Sequence, residues 1–442
     1  MLVFLPCHHE GDQAGNTEGT PMTDRPTNWA GNVVFHPARL HHPTSIDEVQ
    51  RIVAGSEQVR VLGSGHSFNA IADTTGDQIS LASMPPLSRI DAERSTVTVG
   101  GGVRYGELAP QLHRAGYALH NLGSLPHICI AGATATGTHG SGVTNGNLAT
   151  AVRALELVTA SGDIVTLEFG GDDFAGAVVG LGMLGIATSV TLAIEPTFAV
   201  AQYVYDDLSF AEFVAHLDTT MSAAYSVSVF TDWRAPVMNQ LWIKHRIDPS
   251  TPWQQRGDAR WLDAPVANGP RHPVPGVDPA ACTEQGGVPG PWHERLPHFR
   301  LDFTPSSGDE LQSEYFVPRE SAVAAVTAIS SIAHLIAPVL QITELRTIAA
   351  DELWLSPAYR RDSFAIHFTW ISDFAAVAPV LAAVEEQLAP FDARPHWGKV
   401  FSMNADVVRG RHERLPDFSE LVARFDPTGK FRNAFVDRYI PR

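Results

Sequence analysis

Between Val59 and Asn69 the chain reads VRVLGSGHSFN, and this stretch restricts the fold more tightly than its neighbours. Val59, Arg60, Val61 and Leu62 read as a short buried strand. Gly63 and Gly65 then permit a tight turn in which backbone can approach a neighbour closely. His66 at its tip is a largely neutral nucleophile near pH 7. A strand delivering an imidazole between glycines suits a site against a flat ligand. The same letters also fit a βα turn whose histidine caps the next segment, so the choice rests on the downstream chain.

Downstream lies more glycine, spread rather than concentrated. Gly100, Gly101 and Gly102 close a strand at Thr96–Val99. Residues 132–142, GATATGTHGSG, hold enough Gly, Ala and Thr for the backbone itself to line a ligand, with Gly132, Thr136, Gly137, Thr138, His139 and Gly142 as candidates. The other reading of that run is close-packed buried chain. Gly180-Leu-Gly-Met-Leu-Gly185 matches GxGxxG, yet it precedes the β-branched strand IATSVTLAI instead of following a strand and opening a helix. The doubly wound dinucleotide fold is therefore rejected, although a pyrophosphate could rest at Gly185 and Ile186. With helices expected at Ser45–Ser56 and Tyr105–Ala115 and a hairpin at Arg153–Leu167, the first half reads as α+β, suited to an extended dinucleotide laid across two small subdomains.

At 442 residues the chain exceeds one ordinary core, and two or three domains are expected. A net charge of -17 argues against nucleic acid and anionic membrane partners and favours a neutral small molecule. Cys7, Cys129 and Cys282 form no metal or disulfide pattern. His36, His41 and His42 lack spaced acidic or thiol partners, so the stretch Asn28–Pro43 reads as a solvated loop and no metal is expected. No run approaches the ~18 apolar residues of a membrane span. The first residues make a poor signal peptide and Met22 is a plausible start, so cytoplasm is the expected compartment.

From Phe198 the character changes. A helix at Phe210–Met221 precedes strands at Tyr225–Trp233 and Gln240–Ile247. Pro249–Pro297 is too long for an ordinary connector and reads as a functional loop. Strands at Leu311–Val317, Leu340–Ile348 and Ser363–Ile371 alternate with helices at Ser321–Ile336 and Phe374–Leu388, a sheet covered by helices on one face. Strand alternation puts Glu344 with Arg346, His367 with Thr369, and Gln312 with Glu314 on shared faces. Lys399 comes later, in the segment PHWGK. These groups are either an ion pair on the sheet surface or a cavity wall for a polyhydroxylated neutral substrate, each hydroxyl needing its own partner.

In order along the chain stand VLGSGHSFN, VGGGVRY, SLPHI, ATGTHGSG, YSVSVFTDWRAP, CTEQ, GVPGPWHERLPHF, LQSEY, ELRTIAAD, HFTW and RPHWGKVF. On these motifs the chain, from about Asn28 to its end, resembles the alditol oxidases. They are members of the vanillyl-alcohol-oxidase-type flavoproteins, which also include the sugar-1,4-lactone oxidases. GSGHSF and HWGK are common to both, whereas GVPGPWHERLPHF and the SLPHI context point to alditols. The resemblance implies covalent FAD on His66, with Gly63, Ser64, Gly65, Ser67 and Ser124 beside the cofactor. It also implies that Ser124, Gln312, Glu344, Arg346, His367, Thr369 and Lys399 form the substrate pocket. Cys129, where a serine is expected, is either a second flavin tether or a small buried thiol.

The implied architecture is α+β: an N-terminal extension (1–27), an FAD-binding domain (28–197), a substrate domain with a large, mostly antiparallel sheet (198–399), and a C-terminal segment (400–442) returning to the first domain. The implied reaction is oxidation of the terminal alcohol of a polyol such as xylitol or sorbitol, with dioxygen reduced to hydrogen peroxide by a monomer. Arg346 and Lys399 would stabilise a developing alkoxide, and Lys399, Glu344 or His367 would take the proton. A sugar-lactone oxidase or dehydrogenase with the same chemistry is the nearest alternative. A redox-silent flavin- or sugar-binding protein is the alternative of another class.

Overall fold

A computed structural model describes residues 25–247, 259–303 and 309–442. The expectations for Cys7, Met22 and most of the N-terminal extension, and for the first part of the Pro249–Pro297 loop, fall outside the described residues. Three sheets organise the rest. The strand Val59–Leu62 pairs in parallel with Asp77–Ser80, which in turn pairs with Arg39–His41. A five-stranded antiparallel sheet comes next, in the order Ser88–Asp91, Thr96–Gly100, Ile186–Ala193, Val152–Val158, Ile164–Glu168. The third sheet has eight strands, and every pairing in it is antiparallel.

That eight-stranded sheet places the chemistry. Leu340–Ile348, Ser363–Ile371 and Glu310–Pro318 are adjacent. Their registers align Glu344 with His367 and His367 with Glu314, and Thr369 with Gln312 in the next row. The opposite face carries Leu345, Ile366, Phe368 and Tyr315, all buried. Against that face lie the helices Ala322–Ser331 and Phe374–Leu388, the latter burying Val377, Leu381, Val384 and Leu388. Length and composition alone would let Phe374–Phe391 cross a membrane, contrary to the expectation that no run comes close.

Several expectations need correction. The Asn28–Pro43 stretch is not all loop, because Arg39–His41 joins a sheet and both Arg39 and His41 bond the buried carboxylate of Asp77 (2.7 and 2.8 Å). Ala199–Ser209 is an eleven-residue strand that sequence periodicity misses. Much of it is buried on both faces, so no polar alternation shows. The helix expected at Phe210–Met221 breaks at His216, and that at Ser321–Ile336 breaks at Ile332. Just before Ile332, the Ser331 hydroxyl donates to Ala328 O (2.6 Å), a local bond that competes with helix propagation.

The last residues pack on the first part of the fold. Val59 N donates to Lys430 O (2.9 Å), and Lys430 Nζ donates to Val53 O (2.6 Å). Asn433 Nδ2 reaches the carbonyls of Ala70, Ile71 and Asp73. Buried Arg60 donates to the carbonyls of Ile71, Leu181, Gly182 and Phe431, gathering the GxGxxG turn and the C-terminal segment around one guanidinium.

Candidate active site

One cavity of about 330 Å³ runs between the glycine-rich turns and the inner face of the large sheet. His66 marks one wall. Its strand ends in the Gly63–Gly65 turn, where Gly65 adopts φ +70 and its carbonyl accepts from Trp29 N (2.8 Å). The imidazole stacks on Trp29 at 5.0 Å between centroids, and its Nδ1 lies 3.0 Å from Ser64 O. Burial pushes the His66 pKa down to about 4, so the ring is neutral and nucleophilic at pH 7.

The same turn positions a residue far along the chain. Asn69 Nδ2 donates to both Trp397 O and Lys399 O (2.8 Å each), and Phe68 N donates to Gly398 O (2.8 Å). Edge pairing also ties this segment to the sheet, with His396 N on Glu314 O and Val400 N on Gln312 O. Lys399 is thereby fixed between the His66 turn and the sheet. Its Nζ donates to Gln312 Oε1, the atom that also lies 3.2 Å from His367 Nε2.

Arg346 is the electrostatic centre of the sheet wall. It donates to Glu314 Oε1 (2.8 Å), lies 3.4 Å from Glu344 Oε1, and reaches Ser124 Oγ at 3.4 Å. Burial alone would raise both carboxyls. Arg346, with His139 at Glu314 and His298 at Glu344, overrides it and holds both well below the usual carboxylate range. Burial brings His367 down to about 3 and Lys399 to about 8, with Arg346 adding to the fall in Lys399. The wall therefore presents two carboxylates, a permanent cation, a neutral imidazole and an amine that titrates near neutrality.

Every residue read as catalytic or substrate-binding lines this cavity: Ser124, Gln312, Glu344, Arg346, His367, Thr369 and Lys399. So do Gly63, Ser64, Gly65, Ser67, Gly132, Thr136, Thr138, His139 and Gly185. Gly137, Gly142 and Ile186 do not line it. Gly137 (φ +67) packs on Pro357, and a Cβ at Gly142 would lie 2.4 Å from Tyr225 O, where the chain docks on the large sheet. Ile186 sits in a core cluster with Val59 and Val158. His139, read as a cofactor neighbour, also lies 3.0 Å from Glu314 across the cavity.

Residues outside the sequence-based site also meet here. Strand alternation puts Glu314 on the right face but gives it no role. His298, the final histidine of GVPGPWHERLPHF, lies 2.8 Å from Glu344, with buried Lys244 behind it. A lysine directly after the apolar residues Leu241, Trp242 and Ile243 is the available signal for Lys244. The later part of the long loop supplies Pro273 and Val274 to the cavity, and the two residues just past its expected end, His298 and Phe299, line it as well.

The lining fits a flavin dinucleotide. Gly101 and Gly102 pack so closely that a Cβ would fall 1.9 Å from Ala187 O or 2.4 Å from Leu81 O, leaving bare backbone on the cavity. At the sheet end Arg346 Nε and His367 Nδ1 are buried without a hydrogen-bond partner among the described residues. Cys129 Sγ is wedged where a Cβ on Gly63 would be 2.5 Å away and one on Gly132 2.9 Å away.

Comparison with known proteins adds an independent line. Residues 37–168 match the FAD binding domain family, and residues 309–439 match the D-arabinono-1,4-lactone oxidase family. The chain is 50% identical to an alditol oxidase of Streptomyces sp. over 94% of its own length and 99% of the relative's. It is 30% identical to an L-gulono-1,4-lactone dehydrogenase of Mycobacterium tuberculosis, covering 94% and 98% of the two chains. A crystal structure of cholesterol oxidase from B. sterolicum superposes with a TM-score of 0.75 at 13% identity, covering 96% of this chain and 99% of that one, a likeness of fold.

Proposed function

Because the chain belongs to the alditol oxidases, within the flavoproteins that also hold the sugar-lactone oxidases, we propose that it oxidises the terminal alcohol of a polyol such as xylitol or sorbitol to the aldose. Dioxygen is the electron acceptor and hydrogen peroxide the second product. The single observation that carries this reading is the convergence of His66 with Glu344, Arg346, His367, Thr369 and Lys399 on one cavity.

The chemistry that FAD would supply when bound is that of a hydride acceptor reoxidisable by oxygen. His66, neutral and backed by Ser64 O, is the residue that bonds covalently to it. The bare backbone of Gly101, Gly102, Gly132 and Gly185, all lining the cavity, would hold the dinucleotide. Lys399 takes the hydroxyl proton: its amine is free above about pH 8, whereas Glu344 is too acidic and His367 too weakly basic. Arg346, cationic throughout, stabilises negative charge that develops on the oxygen. Glu344, His367 Nδ1, Ser124 and Thr369 accept or donate to the remaining hydroxyls.

Peroxide release over a panel of xylitol, sorbitol and galactono-, gulono- and arabinono-lactones tests the reaction. Turnover of the alditols supports it, and turnover of lactones alone overturns it. Acid-precipitated protein stays yellow, with flavin mass on the peptide containing His66 and none on that containing Cys129. The His66→Ala variant loses its colour on precipitation.

A further inference from the structure

Glu344 is held from behind by a buried chain that the reaction itself does not use. Lys244 is 1% exposed, and burial brings its pKa down to about 7, so its ammonium form, with three hydrogens to donate, shares the site with the neutral amine. It meets three acceptors: Leu296 O at 2.6 Å, Pro297 O at 3.1 Å and His298 Nδ1 at 3.2 Å. Because the Glu344 carboxylate can only accept, the neutral imidazole carries its proton on Nε2, 2.8 Å from Glu344 Oε1, which leaves Nδ1 to accept from Lys244. Burial and Lys244 keep that imidazole neutral, with a pKa of about 4. Arg346 approaches the same Oε1 at 3.4 Å, and among the described residues no hydrogen bond goes to Oε2. The His298 and Phe299 amides also bond Ser124 O (3.1 and 3.3 Å), so one short segment spans both sides of the cavity.

We propose that His298, held at Nδ1 by Lys244, is a positioning residue that fixes the Glu344 carboxylate so that Oε2 receives a substrate hydroxyl. Its contribution is to polyol affinity and to the discrimination of polyols from less hydroxylated alcohols. It makes none to hydride transfer. This deepens the alditol oxidase reading and rests on it.

The test uses flavin-loaded enzyme and xylitol. His298→Leu removes the donor to Glu344, and His298→Gln keeps an amide that can reach it. Lys244→Met keeps the ring and removes the donor to its Nδ1. The expected result is a KM raised about tenfold or more in His298→Leu and by a smaller factor in Lys244→Met. His298→Gln recovers substantially, with kcat within about threefold and the flavin spectrum unchanged. An unchanged KM in flavin-loaded Lys244→Met and His298→Leu overturns the proposal, as does a fall in kcat with KM unaltered. Should His298→Leu fail to fold, Lys244→Met and His298→Gln give the same two readings. If the wild-type enzyme itself leaves xylitol and sorbitol untouched, it is the alditol reading that fails.

Discussion

A buried amine that titrates near neutrality leaves a signature in the rate. Burial lowers the Lys399 pKa to about 8; with its free form as the proposed base, kcat/KM rises as pH rises through that value and then levels off. Lys399→Met removes this limb and lowers kcat about 100-fold or more, while flavin content holds. Arg346→Lys, which preserves charge for Glu314 and Glu344, lowers kcat by a similar factor because the planar fork is lost. Stopped-flow flavin reduction across pH measures both. Much of this wall is legible from alternation alone, which pairs Glu344 with Arg346, His367 with Thr369, and Gln312 with Glu314 on their correct faces. The partners of those residues are not legible. His298 reaches Glu344 across 46 positions and His139 reaches Glu314 across 175, separations at which spacing along the chain carries no information.

Among the elements, glycine turns set how closely strands and loops approach. Gly101 donates its amide to Thr188 O (2.9 Å) while a Cβ would sit 1.9 Å from Ala187 O. Gly101→Ala must part the strands Thr96–Gly100 and Ile186–Ala193. It lowers Tm and flavin content together, read by thermal melts and by absorbance per protein. The rejection of the doubly wound reading at residues 180–185 holds, since that turn feeds an antiparallel strand. The strands Leu340–Ile348 and Ser363–Ile371 and the helix Phe374–Leu388 emerge with their bounds intact. The doubly buried strand Ala199–Ser209 has no alternation to read, and the breaks at His216 and Ile332 depend on local hydrogen bonds that composition does not encode.

At the scale of the whole molecule, the cavity lies between elements remote in the chain, and Arg60 secures one side of it. The guanidinium is fully buried, so desolvation lowers its pKa to about 10, still cationic at neutral pH. Arg60→Leu strands the carbonyls of Ile71, Leu181, Gly182 and Phe431 and costs about 3–5 kcal/mol. Urea denaturation of wild type and variant, monitored by tryptophan fluorescence, checks this, and an unchanged midpoint contradicts it.

Phe431 O, one of the acceptors that Arg60 requires, is 371 residues further along the chain. A ribosome must therefore pass Phe431 before the strand Val59–Leu62 can close its own surroundings. Shortened products from interrupted translation would keep an open, hydrated guanidinium there.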